Sequence, residues 1–299
     1  MTRIVVAGGS GLIGRALVES LRADGHETIV LTRNPGEPGT LGWDGCSAGG
    51  WANSLSGAYA VVNLAGHSIG SGRWSRRRKD LILRSRVDAT SALVDAIGAL
   101  PAERRPRVFV CSSGIDYAGD RPDDAQIDES AAPGDSFLAR VCVVWEDAAL
   151  RAEEHGVRVV VARTAFVIGR GAPALRLMAL PFRLFAGGRL GSGKQWFPWV
   201  HLDDTVGIYR SAIGHEHWRG AVNVVAPGVP RQRDVARELG RVLHRPAVFP
   251  TPAPMLRLVL GEQADLLLTG QRAVPRKAEQ AGYRFRYPEL GAALEQALG

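Results

Sequence analysis

Short runs of apolar, β-branched residues alternate with longer amphipathic segments through the first half of the chain. This alternation is typical of βαβ units, in which parallel strands are buried between helices on both faces of a sheet. It predicts an α/β fold with a Rossmann-type, doubly wound parallel sheet. Strands are predicted at 3–8, 27–33, 58–66, 107–113 and 157–164, a short strand at 41–43, and helices at 11–24, 75–99 and 136–155.

The stretch GGSGLIG, residues 8–14, lies between the first predicted strand and an amphipathic helix. The glycines at 8, 11 and 14 allow a tight turn, a close approach of the backbone to a pyrophosphate, and close packing of the helix on the sheet. The N-terminus of the helix then faces the anion. Because the strand and the helix are both in place, we predict a dinucleotide site rather than a purely structural turn. The predicted contacts from this turn are Gly8, Gly11, Leu12, Ile13 and Gly14.

The end of the second strand selects between the two nicotinamide dinucleotides. A site that prefers NAD places an acidic residue there to accept a hydrogen bond from the ribose 2′-hydroxyl. This chain has Thr32 and Arg33 instead. A guanidinium can pair with a 2′-phosphate and stack on adenine, so the sequence predicts NADP as the cofactor. The alternative is that Arg33 only ends the strand in solvent.

The pattern changes after Gly169, where helical spacing is interrupted by glycine-rich turns and the later strands become short. We expect residues 1–164 to form the NADP-binding domain and residues 165–299 to form mainly a smaller substrate-binding lobe. Part of the segment 202–225 is expected to return to the first domain.

Charge and composition restrict the class of partner. The formal net charge is +7, and arginine dominates the basic residues. The cluster RWSRRRK, residues 73–79, is either a phosphate or nucleic-acid patch or a solvated helix face. Base-stacking aromatic residues are sparse and no nucleic-acid-binding module is recognisable. We therefore expect a nucleotide or a phosphorylated small molecule, and no nucleic acid, as the anion.

No apolar run approaches the roughly 20 residues that span a bilayer, and no signal peptide precedes the first strand. We expect a cytoplasmic protein without a membrane partner. The three cysteines, Cys46, Cys111 and Cys142, are odd in number and lack metal-ligand spacing. Reduced thiols are therefore expected, and no metal site.

Several motifs, in the expected order, resemble those of the extended short-chain dehydrogenase/reductase superfamily of nucleotide-sugar epimerases and dehydratases. They are GGSGLIG (8–14), NLAG (63–66), SSGIDYAG (112–119) and WVHLDD (199–204). More narrowly, residues 73–79, 85–90, 137–146, 191–204 and 261–285 resemble an atypical NAD(P)-dependent epimerase/dehydratase-like branch of unassigned substrate, with a characteristic C-terminal region. The resemblance implies a Rossmann fold with NADP, and cofactor or substrate contacts from Leu64, Ala65, Gly66 and Arg86.

The superfamily uses a serine, a tyrosine and a lysine four residues after the tyrosine. The lysine lowers the tyrosine pKa, the tyrosinate exchanges a proton with substrate, and the serine positions the substrate oxygen. The resemblance puts the serine at Ser113. A glutamate one turn after the lysine matches Glu146, so the tyrosine and lysine positions fall on Leu138 and Cys142. Independently of this match, no tyrosine in the chain has a lysine four residues on. Ordinary epimerase chemistry therefore lacks its usual base.

Several residues are candidates for the missing roles, each with a structural alternative. Tyr117 could be a substitute acid or a packed residue at the strand exit, and Ser113 could bind a substrate oxygen or only its own turn. The Cys142 thiol could titrate, but such a cysteine usually packs as a small apolar residue. The other candidates, with an exposed charge, core packing or structural hydrogen bonding as alternatives, are Lys79, Arg86, Lys194, Trp196, Trp199 and His201.

The leading hypothesis is an NADP(H)-dependent oxidoreductase acting on a small polar or phosphorylated molecule, with Ser113 and Tyr117 as catalytic candidates. Reduction can use a proton from the substrate or from water, whereas alcohol oxidation needs a base on the protein, so we favour a reductase. The alternatives are a non-catalytic NADP sensor or scaffold, and an epimerase or dehydratase with substitute acid/base residues. The long helices at 75–99 and 136–155 resemble those through which relatives dimerise, and this resemblance implies a homodimer.

Overall fold

The computed structural model describes residues 2–299. Its strands are β1 (Arg3–Ala7), β2 (Glu27–Thr32), β3 (Thr40–Gly42), β4 (Ala60–Asn63), β5 (Val108–Gly114), β6 (Gln126–Ile127), β7 (Arg158–Thr164), β8 (Phe166–Ile168), β9 (Trp199–His201), β10 (Gly220–Val224) and β11 (Arg272–Ala273). Its α-helices are α1 (Leu12–Ala23), α2 (Arg76–Gly98), α3 (Phe137–Leu150), α4 (Pro173–Arg183), α5 (Leu202–Gly214), α6 (Gln232–Leu243), α7 (Ala253–Leu260), α8 (Asp265–Leu268), α9 (Arg276–Gln280) and α10 (Leu290–Leu298). Short 3-10 turns are Gly50–Leu55, Ala102–Arg104, Ile115–Ala118, Arg151–His155 and Gly261–Ala264.

Seven strands form one parallel sheet in the order β3-β2-β1-β4-β5-β7-β10. The winding direction reverses between β1 and β4, because the chain adds strands on one side of β1 and then on the other. In such sheets a crevice opens at the carboxyl ends of the strands beside this switch point, and ligands bind there. The predicted doubly wound Rossmann sheet is confirmed.

Helices cover both faces of the sheet. On one face α1 packs against α5, and Ile4 and Val6 share a core with Leu17. On the other face α2 packs against α3, and Val5 shares a core with Phe109. Neighbouring residues of β1 thus serve opposite cores, because side chains alternate across a strand. Burial on both faces explains why these strands are almost continuously apolar.

Two predicted elements are longer than the observed ones. The strand predicted at 58–66 ends at Asn63, whose side-chain oxygen accepts a hydrogen bond from the Ala65 backbone N–H at 3.0 Å. That bond turns the chain away from the sheet. The helix predicted at 136–155 is α-helical to Leu150 and continues as the 3-10 turn Arg151–His155, which ends at Gly156 with φ 75°. The other predicted elements lie within one or two residues of those observed.

A second layer of structure follows β7. Helices α4, α6 and α10 share a separate core around Ile168 and Trp199. The chain also returns to the large sheet, where β10 pairs with β7 and α5 contacts α1. The domain limits at 1–164 and 165–299 stay a prediction. Within residues 2–299, no helix has the length and apolar character needed to cross a membrane.

Candidate cofactor-binding and catalytic site

The glycine turn between β1 and α1 is tightly packed against its own chain. Gly8 has φ +76°, and a Cβ there would lie 2.7 Å from the carbonyl carbon of Leu64 in the loop after β4. A Cβ on Gly14 would lie 2.6 Å from the Cα of Gly9. Packing alone therefore requires glycine at positions 8 and 14, because real Cβ atoms do not approach so closely.

Gly11 differs from Gly8 and Gly14. A Cβ at this position would meet only the Gly8 carbonyl oxygen, at 3.4 Å. Gly11 is the N-cap of α1 without a side-chain cap, and the first turn of α1 carries no acidic residue. The first backbone N–H groups of a helix, here including Leu12 and Ile13, have no partner within it and carry its positive dipole end. The turn can bind an anion through these groups.

Positive charge gathers beside the end of β2. Arg33 is exposed, and Thr32 Oγ1 accepts a hydrogen bond from the Asn34 backbone N–H at 3.3 Å. Burial, and then the charges of Arg78, Arg33 and Arg86, hold the pKa of His67 below its ordinary value. The His67 imidazole is therefore neutral at neutral pH. Arg33 after β2, together with Arg78 and Arg86 of α2, gathers positive charge around the loop after β4, and this region is the cationic rim of the crevice.

A buried polar network that the sequence analysis missed fixes the loop after β4. The Asn63 side-chain amide donates to Thr90 Oγ1 at 2.9 Å, and Trp145 Nε1 donates to the same oxygen at 2.9 Å. These bonds tie the end of β4 to both α2 and α3. The only signal in the sequence is an asparagine at the end of an apolar strand.

Arg86 holds the same loop from the other side. Its Nη1 donates to the carbonyl oxygens of His67 and Ile82, both at 3.0 Å. A Cβ on Gly66 would lie 3.2 Å from Arg86 Cζ, so the loop lies directly on the guanidinium. Burial lowers the pKa of Arg86 from its ordinary value. The structure thus shows Arg86 positioning Leu64–Gly66, and a direct cofactor contact by Arg86 stays a prediction.

Ser113 lies at the carboxyl end of β5 and is 3 % exposed. Its hydroxyl donates to Glu146 Oε1 at 2.6 Å. Glu146 also accepts two hydrogen bonds from Arg163, at 3.0 Å from Nε and 2.8 Å from Nη2. The Ser113 proton is therefore committed to a buried carboxylate, and the lone pairs of Oγ remain to accept a bond.

Tyr117 stacks on the same buried arginine. Arg163 Cζ lies 3.4 Å from the centroid of the Tyr117 ring, and Arg163 Nη1 donates to the carbonyl oxygen of Glu129 at 3.2 Å. This arrangement gives the Tyr117 ring a packing role. Its catalytic role stays a prediction.

The positions matched to the missing tyrosine and lysine hold uncharged groups. Leu138 is buried on α3, and Cys142 Sγ donates to the Gly114 carbonyl oxygen at 3.6 Å. Burial raises the pKa of the Cys142 thiol to about 12, so it is a neutral thiol at neutral pH. Cys142 can neither act as a base nor lower the pKa of a neighbouring acid as a lysine would.

The candidates from the second lobe are engaged in structural contacts. Trp196 Nε1 donates to the Asp123 carbonyl oxygen at 2.6 Å, and Arg231 Cζ lies 3.5 Å from the Trp196 ring centroid. Trp199 is buried and donates to the Gly228 carbonyl oxygen at 2.8 Å. His201 Nδ1 accepts a hydrogen bond from the Asp203 backbone N–H at 3.1 Å and so caps α5. Its Nε2 lies 2.9 Å from Gln296 Oε1. Lys194 is exposed.

The basic cluster 73–79 reaches the C-terminal part of the chain. Lys79 forms an ion pair with Glu262, and Gln263 Nε2 donates to the Ile69 carbonyl oxygen at 3.1 Å. These contacts join the loop after β4 to the 3-10 turn Gly261–Ala264. Among residues 2–299, no group of three or more His, Cys, Asp or Glu side chains is arranged to hold a metal ion.

Comparison with known proteins gives concordant matches. A relative from Arabidopsis thaliana, an epimerase family protein SDR39U1 homolog named as chloroplastic, is 40% identical over 302 residues, covering 99% of this chain and 86% of its own. The crystal structure of human epimerase family protein SDR39U1 (isoform 2) with NADPH has TM-score 0.90 and 39% identity, covering 98% of each chain. A nucleoside-diphosphate sugar epimerase from Corynebacterium glutamicum has TM-score 0.82 and 30% identity, covering 100% of this chain and 58% of that one.

Two family models divide the chain between them. Residues 251–297 match a domain of unknown function, DUF1731. This match agrees with the characteristic C-terminal region expected from the sequence. Residues 4–225 match the NAD dependent epimerase/dehydratase family. With its Rossmann sheet, its glycine turn and these matches, the chain belongs to the NAD-dependent epimerase/dehydratase family.

Proposed function

We propose that this protein is an NADP(H)-dependent oxidoreductase that reduces the carbonyl group of a small polar or phosphorylated molecule. In this proposal residues 1–164 hold the cofactor and residues 165–299 contribute most of the substrate site. The catalytic candidates are Ser113 and Tyr117. Three features support the proposal: the glycine turn, the cationic rim, and the absence of the tyrosine–lysine pair from α3.

The observation that carries the cofactor assignment is the difference between Gly11 and the two glycines at positions 8 and 14. Gly8 and Gly14 are required by packing, whereas a Cβ on Gly11 would meet one atom at an ordinary distance. A glycine that the chain itself does not require is explained by the close approach of a ligand. A pyrophosphate against the backbone N–H groups of Leu12 and Ile13 fits both this gap and the dipole of α1.

The preference for NADP rests on Arg33. Its side chain is exposed at the carboxyl end of β2, with Thr32 rather than an acidic residue before it. The human relative was crystallised with NADPH. In this chain, the exposed guanidinium of Arg33 suits a 2′-phosphate. Leu64, Ala65 and Gly66 border the same turn, because the Gly8 backbone packs on the first two of them.

The direction of reaction follows from the acid/base groups. A reduced nicotinamide supplies a hydride when bound, and the protein has to supply a proton at the substrate oxygen. Oxidation of an alcohol instead needs a base, and the Cys142 thiol is neutral with a pKa of about 12. Ser113 Oγ can accept a hydrogen bond from the product hydroxyl while it donates to Glu146. Because α3 lacks the tyrosine–lysine pair and the Cys142 thiol is neutral, we favour reduction.

Two other functions are supported by particular observations. The uncharged Leu138 and Cys142 also suit a non-catalytic protein that senses NADP and binds a partner. An epimerase or dehydratase would need Tyr117 as a substitute acid, and the Arg163 guanidinium stacked on that ring provides a charge near it. Loss of turnover in Tyr117→Phe, with NADPH affinity and folding unchanged, is the result expected for the epimerase or dehydratase and not for the sensor.

The experiment that tests the proposal measures NADPH binding and NADPH oxidation separately. Purified protein is titrated with NADPH by fluorescence and then mixed with a panel of aldehydes, ketones and enones. We expect NADPH to bind and at least one carbonyl compound to be reduced. Binding without oxidation across the panel would favour the sensor, and absence of binding would overturn the cofactor assignment.

The expected compartment is the cytoplasm, and this stays a prediction. The relative from Arabidopsis thaliana is named as chloroplastic.

A further inference from the structure

Asp116 is an acidic residue at the carboxyl edge of the sheet that none of the roles above uses. It lies in the 3-10 turn Ile115–Ala118, directly after β5, and is half-buried. A methyl group built on Gly114 would lie 3.2 Å from Cys142 Sγ and 3.5 Å from Asp116 Oδ2. The Asp116 carboxyl and the thiol at the position matched to the superfamily lysine thus lie on the same side of Gly114, close enough for the Asp116 charge to raise the pKa of Cys142.

The surroundings of Asp116 favour its neutral form. Burial raises its pKa from the ordinary value, and a hydrogen bond from its own backbone N–H opposes that shift. The titratable groups on α3 that face this region are Cys142, a neutral thiol, and Glu146. The cation on β7, Arg163, is bound by both oxygens of Glu146. Glu146 therefore compensates the charge of Arg163, which would otherwise favour the ionised form of Asp116.

The other candidate donors in this region are less suited to releasing a proton. The Ser113 proton is held by Glu146, and the Tyr117 ring is stacked on Arg163. A thiol whose pKa is about 12 is a weak acid. A carboxylic acid whose pKa is raised by burial is better suited to general-acid work than an ordinary carboxylate, because more of it is protonated while it stays acidic enough to transfer the proton.

We propose that Asp116 is the proton donor for carbonyl reduction in this protein, and this inference rests on the reductase function proposed above. Reduction places a hydride, the two-electron equivalent supplied by a reduced nicotinamide, on the carbonyl carbon. The π pair of the C=O bond moves to oxygen, which takes the proton of the Asp116 carboxyl. The product is an alcohol, and the Asp116 carboxylate regains a proton from water.

The first test needs no turnover. A carboxyl whose pKa is raised on folding contributes stability below its unfolded pKa, and that contribution is lost as pH rises through the folded value. The isosteric Asp116→Asn variant has no such loss. We expect its urea midpoint, relative to wild type, to shift upward between about pH 4 and about pH 8. An equal difference at both pH values would show that Asp116 is not held neutral, and would overturn the proposal.

The second test uses dihydroxyacetone phosphate, a small phosphorylated ketone, as the probe carbonyl and follows a single turnover of NADPH-loaded protein. We expect Asp116→Asn to lower the rate by about 100-fold with the NADPH dissociation constant unchanged. The wild-type rate should fall as pH rises through the pKa of Asp116, and the residual rate of the variant should not follow that titration. The exposed Asp135 provides the matched control, Asp135→Asn, which should keep the wild-type rate.

The outcomes separate this inference from the function on which it rests. An active wild type with an equally active Asp116→Asn variant overturns the role of Asp116 and leaves the reductase intact. A wild type that binds NADPH but transfers no hydride to this ketone or to the carbonyl panel overturns both. A large rate loss together with the pH-dependent stability shift supports both.

Discussion

Single glycines and charged groups decide what the crevice can bind, and they have different physical causes. Gly14 is required because the first turn of α1 lies against Gly9, whereas Gly11 has room for a methyl group. Ser113, Glu146 and Arg163 satisfy one another inside the protein. Residues that look equivalent in a motif thus separate into those that serve the fold and those left free for a ligand.

This separation predicts different outcomes for two alanine substitutions. Gly11→Ala should fold normally and weaken NADPH binding by about tenfold or more, because the methyl group takes the space of the pyrophosphate, and tenfold corresponds to about 1.4 kcal/mol. Gly14→Ala should lower the free energy of unfolding by about 1–3 kcal/mol through overpacking. Fluorescence titration and urea denaturation measure the two effects. Equal loss of stability in both variants would contradict the assignment of Gly11 to ligand binding.

Arg33 makes a second prediction at this scale. A charge-assisted hydrogen bond is worth about 1.5–3 kcal/mol, so Arg33→Ala should weaken NADPH binding about 10- to 100-fold and leave NADH binding unchanged. Arg176→Ala removes an equal charge from an exposed position on α4 and is the matched control. A preference for NADPH over NADH that survives Arg33→Ala would show that another group reads the 2′-phosphate.

At the scale of elements, the carboxyl edge of the sheet is held by contacts between distant segments. The Glu146–Arg163 pair joins α3 to β7, and the Asn63–Thr90–Trp145 network joins β4 to α2 and α3. Both are buried, so each group depends on its partner for the hydrogen bonds that water would otherwise supply. The sheet edge that carries the site is therefore also the place where buried contacts hold these strands and helices together.

The buried ion pair gives a prediction for stability. Glu146→Gln leaves Arg163 buried without its counter-charge and should lower the free energy of unfolding by about 3–5 kcal/mol. The exposed pair of Arg151 with Asp95 is the comparison, and Asp95→Asn should cost about 0–1 kcal/mol. Urea denaturation of both variants checks the difference. Similar small losses would mean that the α3–β7 joint tolerates an uncompensated charge.

At the scale of the whole molecule, the first lobe and the C-terminal part of the chain are joined by several separate contacts. Lys79 pairs with Glu262, Arg231 pairs with Asp124, and Trp196 donates to the backbone of Asp123. These contacts lie in segments far apart in sequence. They give the crevice fixed walls on both sides and leave the outer faces of α2 and α3 exposed.

Those outer faces predict a homodimer. Leu81 on α2 and Val144 on α3 are large apolar residues, 43% and 44% exposed, on the two long helices for which the sequence predicted a dimer contact. We expect light scattering to give the mass of a dimer and Val144→Asp to give a monomer. Leu177→Asp, at a position 67% exposed on α4, is the control that should keep the wild-type mass. A monomeric wild type would contradict the prediction.

The sequence by itself determined the sheet, the glycine turn, and the absence of the tyrosine–lysine pair. These features depend on neighbours along the chain: the alternation of apolar residues, glycines at fixed spacing, and residue identities on one helix. Only the tertiary structure decided that Ser113 donates a hydrogen bond to Glu146, 33 residues away, and that Arg86 holds the loop after β4. It also decided that Asp116 lies beside Cys142, because the partners and burial of a side chain are set by segments that meet only when the chain folds.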